Sequence, residues 1–124
     1  MWKWRLLLLI LGPLSAYAQI TPSDARTHVG QTQTVCGAVR TTRYAFTQKG
    51  SPTLINLGPT GDELVIIIWG KDLKNFRHPD FDYADANLCV TGRIANRHGT
   101  RVIEVKTPAQ IVVHRGPPAL AEAE

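Results

Sequence analysis

The chain has 124 residues, 44% of them hydrophobic and 19% charged, with a formal net charge of +4. That is one domain's worth of sequence, at a size where a single core is adequate without being generous, so a multidomain reading is set aside. The one long apolar run, Leu6 to Leu11, falls well short of the roughly 20 residues that span a bilayer, which argues against stable membrane insertion.

That run sits in a leader. Lys3 and Arg5 form a positive n-region, Gly12-Pro13 breaks the apolar segment, and Ala16-Tyr17-Ala18 fits the small-x-small rule for signal cleavage. Residues 1–18 are therefore expected to be a signal peptide cut after Ala18, which makes the protein periplasmic or secreted. An uncleaved N-terminal anchor is the alternative. Of the 14 Lys and Arg, Lys3 and Arg5 belong to the leader, so 12 face 10 Asp and Glu and the exported chain carries +2. A charge this close to neutral gives only weak support for nucleic-acid binding, which needs a clustered excess of cations.

Thr21-Pro22-Ser23-Asp24 reads as a short helix start, with Thr21 as N-cap, Pro22 at the first helical position and Asp24 complementing the dipole. The helix reaches no further than Val29 before Gly30, and it must pack on something through Ile20, Ala25 and Val29. Thr32 to Thr42 is the first strand, rich in Thr and Val. Arg43 to Pro52 is a loop, Thr53 to Leu57 the second strand, and Gly58-Pro59-Thr60-Gly61-Asp62 a turn. Leu64 to Trp69 is the third strand, apolar on both faces and so central or covered. Trp69, closing an apolar strand, is expected in the core.

Lys71 to Phe76 reads as a helical turn or two, and His78 to Tyr83 as irregular chain, because Pro79 disfavours helix just before it. Asn87 to Ala95 is the fourth strand, Asn96-Arg97-His98-Gly99 a hairpin turn, and Arg101 to Lys106 the fifth strand. Ile111 to Val113 is expected to pack back on the barrel, and residues 114–124 to form a flexible tail.

The two cysteines lie on similar strands, Val35-Cys36-Gly37-Ala38-Val39 and Leu88-Cys89-Val90-Thr91-Gly92-Arg93-Ile94. Side chains alternate along a strand, so Val35, Gly37 and Val39 share one face while Cys36 takes the other. Leu88, Val90, Gly92 and Ile94 likewise share a face, with Cys89 opposite. Neighbouring strands would thus bring Cys36 and Cys89 together without either turning over. An oxidising destination makes the pair readable as a disulfide. Closing a loop of about 53 residues, it would contribute on the order of 3–4 kcal/mol in the chain-entropy model. Gly37 and Gly92 on the inward face are expected to ease strand curvature.

Five strands with a short helical piece between the third and fourth resemble an OB-fold, an all-β, five-stranded Greek-key barrel. The resemblance rests on the two cysteine strands, Leu54-Ile55-Asn56-Leu57-Gly58 and Val65-Ile66-Ile67-Ile68-Trp69, and covers roughly residues 30–113 of a domain spanning 19–113. The chain looks like a small exported OB-fold protein of the nucleic-acid-binding, tRNA-anticodon-domain-like kind. The resemblance implies that the first strand lies beside the fourth, and so Cys36 beside Cys89. It also implies a ligand face on the second and third strands, between the first-to-second and fourth-to-fifth loops.

On that face the first loop offers Arg40, Arg43, Tyr44, Phe46 and Lys49, the other Arg97, His98 and Arg101, and Asn56 projects between them. Aromatics among cations suit single-stranded nucleic acid, stacking bases and neutralising phosphates. Another anionic polymer or an oligosaccharide would fit the same face. The plain alternative is that Tyr44 and Phe46 cover the barrel end and the cations serve solubility. A structural or protein-interaction module of the cell envelope is the competing class. A thermonuclease-like hydrolase would need carboxylates around a metal; the nearest cluster, Asp80, Asp82 and Asp85, lacks EF-hand spacing and glycine. His28, His78, His98 and His114 are scattered without ligand spacing, and no nucleophile elbow, Walker loop or Cys-x-x-Cys is present. No catalytic residue, metal or cofactor is expected.

Overall fold

The computed structural model describes residues 18–114. The expected leader, apart from Ala18, and the tail beyond His114 lie outside the described residues.

Seven strands form: β1 (Gln19–Ile20), β2 (Thr32–Tyr44), β3 (Thr53–Leu57), β4 (Leu64–Ile68), β5 (Asn87–Arg97), β6 (Thr100–Glu104) and β7 (Ile111–His114). Each of β2 to β6 sits on one of the five expected strands. They run in the order β2-β3-β4-β6-β5, and a β2–β5 pairing closes the ring. All neighbours in the ring are antiparallel except β4 and β6, which run parallel. This is the closed all-β barrel of an OB-fold. Closure leaves no free edge in the ring, so every strand keeps both hydrogen-bonding partners.

Two strands were not expected. The short β1 adds to β2 in parallel, and β7 pairs antiparallel with β5, placing Ile111 opposite Val90. The second addition is how Ile111 to Val113 packs back on the barrel.

Alternation builds the core. Ile55 and Leu57 from β3, Leu64, Ile66 and Ile68 from β4, and Leu88, Val90 and Ile94 from β5 are all buried, together with Val35 and Ile103. On the other face of the seam Cys36 sits directly opposite Cys89, and the two form a disulfide with a Cα–Cα distance of 4.0 Å. Both inward glycines face close neighbours. A Cβ on Gly37 would meet Pro22 Cγ at 2.6 Å, and one on Gly92 would meet Ile103 Cγ2 at 2.6 Å. They leave room for these neighbours.

The N-terminal helix is a 3-10 helix, Pro22–Thr27, capped by Thr21 and buried through Pro22 and Ala25. Ser23 and Arg26 share a cleft with Asp62 and Glu63, which places this helix at the end of the barrel where β4 begins. The chain leaving the other end of β4 forms a second 3-10 helix, Gly70–Asn75, and packs Leu73, Phe76 and Tyr83 on the core. Within it, His78 to Tyr83 departs from the irregular reading: Pro79–Asp82 is a single α-helical turn, α1. Proline excludes helix before itself but suits the first helical position, where no N–H partner is needed.

One irregularity decides which side chains face where. β2 pairs with β5 through Ala38 and with β3 from Val39 onward, and its register slips between Val39 and Thr41. The extra residue of this bulge reverses the alternation. Beyond it, Thr42 and Tyr44 stand opposite the buried Ile55 and Thr53, while Arg43 stands opposite Leu54 on the outer face.

Candidate functional site

The outer face of β3 and β4 carries Leu54 and Ile67, directly paired across the two strands. They floor a cleft of about 370 Å³ whose remaining walls are Gln48, Lys49, Pro52, Trp69, Arg97 and His98. The β2–β3 loop supplies one wall and the β5–β6 turn the other. That turn joins Arg97 to Thr100 through two residues, His98 and Gly99, with φ of 52° and 82°. Two positive φ values in a two-residue hairpin are the mark of a type I′ turn, which matches the twist of its strands and holds His98 in a defined place.

Trp69 lies in this cleft and not in the core, half-buried just past the end of β4. Gly50, with φ of 84°, packs so closely that a Cβ there would come within 2.8 Å of Trp69 Cε3. Over the same ring system lies Arg97, its Cζ 5.1 Å from the ring centroid. A guanidinium at this distance is drawn to the electron-rich indole face. Sequence reasoning assigned Trp69 to the core because it ends an apolar strand. Alternation held the better signal, since Trp69 is in phase with Val65 and Ile67, out of phase with the inward Leu64, Ile66 and Ile68.

Of the nine expected ligand residues, the structure brings Lys49, Arg97 and His98 into one cleft and sets Arg43 beside its floor residue Leu54. Among the described residues none of these four side chains forms a hydrogen bond or salt bridge; the only salt bridge joins Lys71 to Asp72 at 3.4 Å. The cleft thus holds Lys49 and Arg97, neither with a hydrogen-bond or ionic partner among the described residues, beside an aromatic ring.

The other five lie outside the cleft walls. Tyr44 and Phe46 pack together with ring centroids 5.9 Å apart. Tyr44 follows Thr42, whose hydroxyl donates to the Asp80 carbonyl of α1 at 2.7 Å, so the bulge turns this pair toward the α1 side of the barrel. Arg40 donates to the Pro59 carbonyl at 2.9 Å, and the Asn56 amide donates to the Gly61 carbonyl at 2.6 Å. Both hold the β3–β4 turn. Arg101 donates to the Gly99 carbonyl at 2.7 Å and lines a separate polar cleft with Arg26, Asp62 and Glu63.

Of the aspartates Asp80, Asp82 and Asp85, one bonds the start of α1. Asp82 accepts from the His78 backbone N–H at 3.4 Å, and Asp85 occupies a turn with φ of 57°. Tyr83, buried just after them, has its phenol pKa raised, first by burial and then by the Asp82 charge.

No family model and no curated protein sequence matches the chain. Among solved structures it is similar to a chain described as an aspartyl-tRNA synthetase from Leishmania major Friedlin, with a TM-score of 0.54 and 15% identity. The likeness is one of fold. The match covers 90% of this chain but 25% of that one, so this chain spans about a quarter of the synthetase's length. Folds of this kind host many unrelated activities, and the site has to carry the functional argument.

Proposed function

We propose that the protein is an exported, non-enzymatic binding module for single-stranded nucleic acid, taken across the outer face of β3 and β4. The observation that carries this reading is Trp69 in a cleft walled by Lys49, Arg97 and His98, none of which has an ionic partner among the described residues. A flat ring beside the Lys49 and Arg97 charges offers stacking for a base and charge for its phosphates without demanding a particular sequence. The OB-fold likeness to part of a tRNA synthetase is compatible with it. Export rests on the leader and agrees with the Cys36–Cys89 disulfide, a bond that persists in oxidising compartments.

Fluorescence anisotropy with short single-stranded DNA and RNA at low salt tests the proposal. Binding should weaken linearly on a logarithmic salt scale and fall on replacing Arg43 or Arg97 with Ala. No binding at low salt would end the nucleic-acid reading. Metal-dependent turnover abolished by Asp80→Ala or Asp82→Ala would end the non-enzymatic one.

A second reading, a protein-interaction module of the envelope, draws on Phe46 and Phe81, which are 66% and 74% exposed and lie outside the cleft walls. It predicts partner capture that survives Trp69→Ala and is lost on Phe81→Ala.

A further inference from the structure

The geometry points to a slot for one ring at a time on Trp69, with Arg97 as its displaceable cover: a nucleobase takes the guanidinium's place on the indole, and the freed guanidinium turns to that nucleotide's phosphate. This rests on the nucleic-acid reading of the same cleft and adds to it a unit size and a specificity residue.

Three observations support a single-ring slot. Trp69 is the only Trp, Tyr or Phe among the cleft's wall residues. The β2 bulge puts Tyr44 on the other face, and Phe46 packs against Tyr44 and not among the cleft walls, so neither extends a stacking row from Trp69. The volume, about 370 Å³, lies within the range of small-molecule pockets, which begin at roughly 300 Å³, and is enough for one base and its phosphate.

The displaceable cover follows from how Arg97 is held. Arg40, Arg93 and Arg101 each donate to a backbone carbonyl, at 2.9, 3.0 and 2.7 Å. Arg97 has no such bond among the described residues; its one specific contact is with the Trp69 ring. An exposed cation–π contact is weak enough for a base to exchange with it. Gly50 lies against the six-membered part of the indole and Arg97 over the ring, so an incoming base that stacks where Arg97 lies has to displace it. Once displaced, the side chain remains tethered beside His98 and opposite Lys49, where a phosphate of the stacked nucleotide would lie.

The test compares adenosine, adenosine monophosphate and ribose 5-phosphate on the full chain. Tryptophan emission is the readout, and Trp69→Phe separates the Trp69 signal from that of Trp2 and Trp4. Both adenosine compounds should quench Trp69 with one site per chain, and ribose 5-phosphate, having no base, should not. Arg97→Ala should move the two adenosine ligands in opposite directions. Adenosine should bind roughly 2–5-fold tighter because its competitor is gone. The monophosphate should bind about 10-fold more weakly because a charge-assisted phosphate contact is lost. If both weaken on Arg97→Ala, the guanidinium clamps the base rather than covering the slot, and the inference is wrong. Quenching by ribose 5-phosphate equal to that by the monophosphate would also overturn it. If an eight-nucleotide single strand binds through Trp69 while both adenosine ligands fail, the one-ring slot is refuted and the strand-binding reading stands. If the strand fails too, both are refuted.

Discussion

The β2–β5 seam and the outer face of β3 and β4 are made of similar β-branched strands, but they treat their polar groups differently. At the seam, Cys36 is joined to Cys89, and the Thr34 and Thr91 hydroxyls share a hydrogen bond of 2.7 Å. Arg93 donates to the Gly30 carbonyl at 3.0 Å, and the Gln110 amide to the Thr91 carbonyl at 3.1 Å. On the cleft face, Lys49, Arg97 and His98 surround Trp69 with their donors unengaged among the described residues. Polar groups that are already satisfied contribute to holding the fold, whereas open donors beside a half-buried ring are available to a ligand. The comparison makes a prediction: damage at the seam should register in stability and damage at the cleft in binding.

The largest effect should come from the staple. Replacing both Cys36 and Cys89 with Ala removes a cross-link spanning 53 residues of sequence and should cost about 3–4 kcal/mol of stability in the chain-entropy model. Urea unfolding followed by far-UV circular dichroism would measure it. Affinity for single-stranded nucleic acid, taken where the variant is still folded, should stay within about twofold of wild type. A tenfold loss of affinity in folded protein would show that the seam and the cleft are not separable.

Trp69→Ala is the matching change at the cleft. Loss of a stacked base should weaken binding by about 1–3 kcal/mol. The urea midpoint should move less than for the cysteine variant, because Trp69 is half-buried and the core cluster does not include it.

The seam was far more legible in the sequence than the cleft, and for a physical reason. Strand alternation is a period-two signal, and Val35, Val39, Leu88, Val90 and Ile94 display it without interruption, so the facing of Cys36 and Cys89 could be read by parity. The cleft depends on the place where that signal breaks. The bulge at Arg40 reverses the faces of Arg43 and Tyr44, and no residue type there announces it, since arginine between valine and threonine looks like ordinary strand. Parity was also the better guide at Trp69, where the general tendency of tryptophan to be buried overrode it. Contacts that join distant segments left no local trace. Examples are Pro22 against Gly37 and Gly50 against the Trp69 ring.

Salt dependence sharpens the comparison among the cations themselves. Lys49 lines the cleft with no partner among the described residues, whereas Arg40 is committed to the Pro59 carbonyl. Each phosphate contact on a single strand contributes about −0.7 to the slope of log affinity against log salt. Lys49→Gln should therefore flatten the slope by about that amount, and Arg40→Gln should leave it unchanged. An equal flattening by both would mean that the whole cationic surface attracts the ligand and the cleft has no special share.

The smallest expected effect is a pH response at the N-terminal 3-10 helix. Asp24 has its carboxyl pKa below the ordinary 3.8, chiefly because its carboxylate accepts hydrogen bonds from the Thr21 backbone N–H and hydroxyl, with His28 and Arg26 adding favourable charge. Those bonds, at 3.1 and 2.9 Å, close the N-terminus of the 3-10 helix that seats Pro22 against Gly37. The folded pKa is the lower one, so the unfolded chain binds the proton more readily. The contribution is complete above the unfolded carboxylate value and is lost as pH falls through the folded one. Between pH 5 and about pH 2, hydrogen exchange in β1 and the first half of β2 should accelerate, since local openings follow local stability. Asp24→Asn keeps a capping oxygen but cannot gain or lose that charge, so it should remove that acceleration. Unchanged acceleration in Asp24→Asn would mean that Asp24 does not govern the opening of this end.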